Sequence, residues 1–151
     1  MKMNADELQA YLARIFPQMY GPGRPARIEA VGENQVSVRF TAGERHLRPG
    51  GTVSGPAMMT LADATVYVAI LAALGPVPLA VTTNLSINFL RKPEPGDLIA
   101  DCKLIKLGKR LAVGEVGIRP ADGGELVAHA VATYSIPPAG GLEAGNGIPP
   151  E

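Results

Sequence analysis

One stretch restricts this chain more than any other. From Pro56 to Leu74 almost every side chain is apolar, and Asp63 is the one charged residue within it. A helix that is apolar all round has two homes, a bilayer or the interior of a protein. The run is about as long as a membrane span requires. Yet Asp63 sits in its first third, Thr60, Thr65 and Tyr67 interrupt it, and basic residues do not flank both ends closely. An isolated acid inside a span is rare and costly. The run therefore reads as a helix buried within a protein. Ser54 or Gly55 starts it and Gly75-Pro76 ends it.

The segments on either side supply what such a helix needs as cover. Asn4 to Phe16 places Leu8, Tyr11, Leu12 and Ile15 at helical spacing, with Asn4 as a cap and Pro17 as a stop. Residues 17–25 are rich in proline and glycine and read as a loop. Arg27 to Val31 and Gln35 to Ala42 read as strands around a turn holding Gly32 and Asn34, and Val36, Val38 and Phe40 alternate. After a loop over Arg45 to Val53 and the apolar helix, the period changes to two. Leu79 to Leu90, Asp97 to Leu107, Arg110 to Arg119 and Glu125 to Ile136 form four strands. Short turns at Lys92 to Gly96, Gly108-Lys109 and Asp122-Gly123-Gly124 join them.

Short turns make neighbouring strands antiparallel. One curved antiparallel sheet wrapped around the long helix hides its apolar surface. The expected class is thus α+β, in the arrangement called the hotdog fold, with a short N-terminal helix over residues 4–16 and a central helix over about 55–74. The 151 residues fit one such domain, assigned to 1–136, and the proline- and glycine-rich end, 137–151, is expected to be a disordered tail. A sheet of this kind has open edges, so pairing with a second copy as a homodimer or homotetramer is the expected remedy.

Composition narrows the function classes. With 14 basic and 14 acidic side chains the formal net charge is zero, which gives no sign of a global nucleic-acid binder. The single cysteine, Cys102, excludes an internal disulfide, and the first ten residues lack the apolar core of an export signal. A cytoplasmic location is the expectation. Two histidines and one cysteine in unrelated segments make no metal set, and no phosphate loop or dinucleotide fingerprint occurs.

The chemistry concentrates at the start of the apolar helix. Ser54 is a good N-cap, Pro56 suits the first turn, and Gly55 between them offers an amide without a side chain. Such a helix start presents donors and a positive dipole end to a developing oxyanion. Asp63 is a carboxylate on an apolar helix, costly to bury unless it has a partner or a task, and suited to a general base. Eight residues separate it from Gly55, which is roughly 12 Å along a helix and roughly 80° around it. A base and an oxyanion donor must both lie about 3 Å from one reacting group. If the two cooperate, they come from different subunits.

The run from Gly51 to Asp63 resembles the signature of the PaaI-like hotdog thioesterases, roughly N-x-x-G-x-x-H-G-G-x-x-x-x-L-x-D. The resemblance continues through Ala80 to Pro93, Gly96-Asp97, Gly108-Lys109-Arg110 and Gly124 to Ala128, and so covers about Arg45 to Ile136. It implies an acyl-coenzyme A thioesterase that needs no cofactor beyond the coenzyme A of its substrate. By the same resemblance Asp63 is the catalytic carboxylate, activating water or attacking the thioester, and Gly55 supplies the oxyanion amide. Thr82 stands where relatives place a hydroxyl that orients water. Arg91, Lys92, Lys109 and Arg110 stand where relatives contact coenzyme A phosphates.

The chain departs from the pattern at three places. Ser54 replaces the family histidine, Pro56 its second glycine, and Arg48 its upstream asparagine. Ser54 as a nucleophile lacks a histidine that the sequence places beside it. Two other classes fit the same scaffold: a non-catalytic acyl-coenzyme A binder, and a hotdog hydratase. The hydratase pattern usually carries a histidine shortly after an acid on the central helix, and residues 55–75 hold none.

Overall fold

The computed structural model describes residues 2–77 and 79–138. The chain order is α1 (Ala5–Ile15), α2 (Pro17–Tyr20), β1 (Ala26–Gly32), β2 (Gln35–Phe40), a single 3-10 turn (Glu44–His46), α3 (Gly55–Leu74), β3 (Val81–Phe89), β4 (Leu98–Leu107), β5 (Leu111–Pro120) and β6 (Ala128–Ser135). Asn4 caps α1 by accepting from the Glu7 amide, and the Glu7 carboxylate accepts from the Asn4 amide in return. Leu8, Tyr11 and Leu12 are the face that α1 buries.

The six strands form one antiparallel sheet in the order β1-β2-β4-β5-β6-β3. α3 packs against β2, β3, β4, β5 and β6. This is the hotdog arrangement. α3 is long and apolar enough to cross a membrane by composition alone. Twelve of its twenty residues are nevertheless buried, so its apolar surface is satisfied within the protein. The hydroxyl of Thr65, fully buried in that helix, donates to the Leu61 carbonyl at 2.6 Å and so carries no unmet polar group inward.

Two local features hold α3 against the sheet. Along β6 the inward positions are Ala128, Ala130, Ala132 and Tyr134, so the strand is thin beneath the helix until its last inward residue. On β5, Gly114 lies so close to α3 that a Cβ there would stand 3.0 Å from both methyls of Val66 and 3.1 Å from the Cys102 sulfur. Few real Cβ atoms approach so closely, so a side chain here would require Val66 or Cys102 to give by a few tenths of an ångström.

Three expectations need correction. Residues 17–20 are not loop: Pro17 takes the first helical position, where its missing N–H costs nothing, and one short turn, α2, follows before the chain straightens. The last strand joins the ladder at Ala128 and not at Glu125, although Val127 already donates to Ile118 and accepts from Leu90. The second strand ends at Phe40, two residues before the expected Ala42. The expectation of a disordered tail falls, from residue 139 onward, outside the described residues.

Candidate active site

Asp63 lies on the part of α3 that faces β3 and the end of β6. Its Oδ1 accepts from the Thr82 hydroxyl at 2.6 Å and from the Tyr134 hydroxyl at 2.9 Å. Tyr134 also lies 2.9 Å from the main-chain carbonyl of Asp63. The partner that a carboxylate on an apolar helix requires is thus a pair of hydroxyls from neighbouring strands.

Strand register explains the convergence. Thr82 of β3 stands directly opposite Tyr134 of β6, and side chains opposite one another share a face of the sheet. Farther along, the inward partners are Leu85 with Ala132, Ile87 with Ala130 and Phe89 with Ala128. That odd-numbered series would bring Thr83 inward next. An irregularity between Thr82 and Asn84 shifts the register by one and brings Thr82 inward in its place. Tyr134 is only 3% exposed. Burial first, and the Asp63 carboxylate as well, push its phenol far above the ordinary range, against an opposing effect from the Thr82 hydroxyl. It stays a neutral donor. Tyr67, stacked on it at 6.2 Å, is pushed up to about 12 by burial and stays neutral too.

Gly55 begins α3 at the opposite end of β3. Ser54 caps the helix by accepting from the Ala57 amide at 3.2 Å. No histidine bonds its hydroxyl among the described residues. His46 accepts from the Gly43 amide through Nδ1 and packs edge-on against Phe40, while His129 lies 2.9 Å from Glu115. Gly55 faces the ring of Phe89, 3.4 Å from where a Cβ would be. Both line a cleft of about 340 Å³, together with Arg48, Met58, Arg91 and Lys92 among others. Arg48, where the family pattern has asparagine, thus adds a cation to the glycine end of the site.

Within one chain these parts stay separate. Asp63 and Thr82 mark the start of β3, Gly55 and Phe89 its end, and α3 runs unbroken between Gly55 and Asp63. The basic pairs divide in the same way. Arg91-Lys92 follows the end of β3, whereas Lys109-Arg110 precedes Leu111, which aligns through Ser135 with Val81 at its start. Arg91 also donates to the Leu126 carbonyl and pairs with Glu125 at 2.9 Å. β3 itself is an outer strand, exposed at most of its positions. Among the described residues no three His, Cys, Asp or Glu side chains cluster as a metal set.

Residues 50–127, just over half of the chain, match the family model of the thioesterase superfamily. The chain belongs to that superfamily. The reaction it implies is hydrolysis of a thioester. Among curated relatives, a candidate esterase of Pseudomonas aeruginosa is 30% identical over 106 residues, spanning 70% of this chain and 78% of the relative. A candidate esterase of Thermoplasma acidophilum is 26% identical over 110 residues, spanning 72% and 81%. The crystal structure of a candidate thioesterase from Silicibacter sp. TM1040 shares 47% identity at a TM-score of 0.82, covering 90% of this chain and 93% of that one. Zebrafish thioesterase superfamily member 2, at 18% identity and a TM-score of 0.78 over 90% and 100%, shares the fold.

Of the residues singled out from sequence, Asp63 and Thr82 meet directly, and Gly55, Arg91 and Lys92 share a cleft. Tyr134 was missed. Its only sequence signal is a large hydroxylated side chain ending an otherwise alanine-lined inward series.

Proposed function

We propose that this thioesterase hydrolyses acyl-coenzyme A at sites shared between two copies of the chain. The carrying observation is that Asp63 and Gly55 sit at opposite ends of one bare edge strand. If two β3 edges pair antiparallel, the Phe89 end of one lies beside the Val81 end of the other. Gly55 of one subunit then comes close to Asp63 and Thr82 of its partner, and Arg91-Lys92 comes close to the partner's Lys109-Arg110. Two complete sites result from one symmetric contact.

In this reading Asp63 acts as a general base. Both hydroxyl donors occupy Oδ1, which leaves Oδ2 for a water molecule, and the Thr82 oxygen can accept from that water. As the water oxygen bonds to the thioester carbon, its proton passes to Oδ2. The carbonyl electrons move onto oxygen, where the partner's Gly55 amide stabilises them. Collapse restores the carbonyl and breaks the carbon–sulfur bond. The departing thiolate takes the proton from Asp63, giving a carboxylic acid and free coenzyme A. Ser54 performs no chemical step and keeps the helix start formed.

The basic lining of the glycine cleft supports coenzyme A as the carrier, because its phosphates are the anions such cations would hold. A candidate thioesterase of the same fold from Streptococcus pneumoniae has been solved with coenzyme A, at 22% identity and a TM-score of 0.65. The acyl group is small aromatic or medium-chain aliphatic. No cofactor is required beyond the coenzyme A of the substrate, and the free buried Cys102 suits a reducing cytoplasm.

Thiol release from a panel of phenylacyl and aliphatic acyl-coenzyme A esters tests the activity. Wild type should turn over at least one series, and Asp63→Asn should lose about a thousandfold in kcat, within the usual range for a removed general base. Wild-type turnover by Asp63→Asn would exclude the role.

A further inference from the structure

We infer that Tyr134 is a positioning residue for Asp63: together with Thr82 it clamps one carboxylate oxygen and leaves the other to act. This rests on the general-base reading above. A carboxylate at the end of two rotatable bonds would otherwise present either oxygen to a substrate. Here Oδ1 accepts from two hydroxyls on two strands, at 2.6 and 2.9 Å, and Oδ2 accepts from neither.

Tyr134 is the stiffer half of the clamp. Its ring is buried, stacks on Tyr67 from the next turn of α3, and its hydroxyl also reaches the Asp63 main-chain carbonyl. Its one proton is shared between the backbone oxygen and the side-chain oxygen of the residue it holds. Thr82 arrives from the exposed edge strand, and only through the register shift beside it. The phenol is the anchor, and the threonine is the arm free to contact water.

Hydrogen bonds to charged groups are worth more than neutral ones, and misplacing a catalytic group by about 1 Å can cost a hundredfold. Tyr134→Phe keeps the ring and its packing and removes only the hydroxyl. The expected result is a fall of about tenfold to a hundredfold in kcat, with KM for the acyl-coenzyme A changed less than about twofold, since the buried phenol spends its proton on Asp63. Thr82→Val should also lower kcat. The double variant should lose less than the product of the two single losses, because both act on the same oxygen.

Thermal unfolding and the binding of free coenzyme A, measured on each variant, separate this from a fold defect. A structural hydroxyl would lower the melting temperature and leave kcat per folded molecule unchanged. Wild-type kcat in Tyr134→Phe, or fully multiplicative losses in the double variant, would overturn the clamp. Asp63→Asn run alongside distinguishes the two ideas. If that variant stays active, the general-base reading is wrong. If it is dead while Tyr134→Phe is unimpaired, only the positioning role fails.

Discussion

The two edges of this sheet are treated in opposite ways. At β1 the edge is occupied. Gln9 of α1 accepts from the Ile28 amide at 2.7 Å and donates to the Tyr20 carbonyl at 2.9 Å, so a helix side chain stands in for a neighbouring strand. The strand is irregular between Ile28 and Ala30, and Glu29 pairs with Arg39. Irregular, charged and covered edges resist pairing. At β3 the one irregularity, between Thr82 and Asn84, lies near the start of the strand, and β3 itself carries no charged side chain. The strand is open along its length, and Val81, Phe89 and the following Leu90 are about half exposed. Exposed apolar side chains on an unpaired edge mark a surface meant for another strand. The difference is what favours β3 over β1 as the contact proposed above.

That contrast can be broken directly. Lysines at Asn84 and Ser86 would set like charges against each other across two paired β3 edges. The variant should sediment as a monomer and lose on the order of a hundredfold in activity, the scale of a missing oxyanion donor. Ala30→Lys at the guarded edge should change neither mass nor turnover. A doubly substituted β3 that stays associated and active would refute the pairing.

A smaller effect tests the sharing of sites. Asp63→Asn and a Gly55→Leu variant that blocks the helix start should each be inactive alone. Refolded together, a symmetric dimer forms with about half of its molecules mixed, each mixed molecule having one site without defects, so about a quarter of wild-type activity should return. Demonstrated heterodimers with no recovered thiol release would contradict the shared site.

The smallest effect concerns the guarded edge alone. Gln9→Leu leaves the Ile28 amide without its partner, at a cost of about 1 to 3 kcal/mol. Unfolding by urea should report that loss while kcat holds. Unchanged stability would mean that Gln9 does not protect β1.

Most of the fold is written locally. The apolar run with Ser54, Pro56 and Gly75 at its ends delimits α3, and alternation and turn residues locate the six strands to within a few residues. Pro17 to Tyr20 escaped because prolines and glycines hide a single helical turn that depends on its neighbours. The site was legible where a residue is incongruous in its own segment, as Asp63 is within an apolar helix. Thr82 was identified through a family resemblance alone, because regular alternation would have turned Thr83 inward. Tyr134 lies 71 positions from Asp63, and its relevance arises from a cross-strand register that no local pattern encodes.

Gly114 offers a different lesson. It touches no candidate catalytic group, yet the atom it lacks would press on Val66, one turn along the helix from Asp63. A side chain there would ask Val66 or Cys102 to give by a few tenths of an ångström, three residues along the helix from the carboxylate. A substitution at this one buried position is therefore expected to disturb the site more than its distance from the clefts suggests. A search for the constraints on activity that looked only at residues lining the clefts would overlook the site's alignment peg.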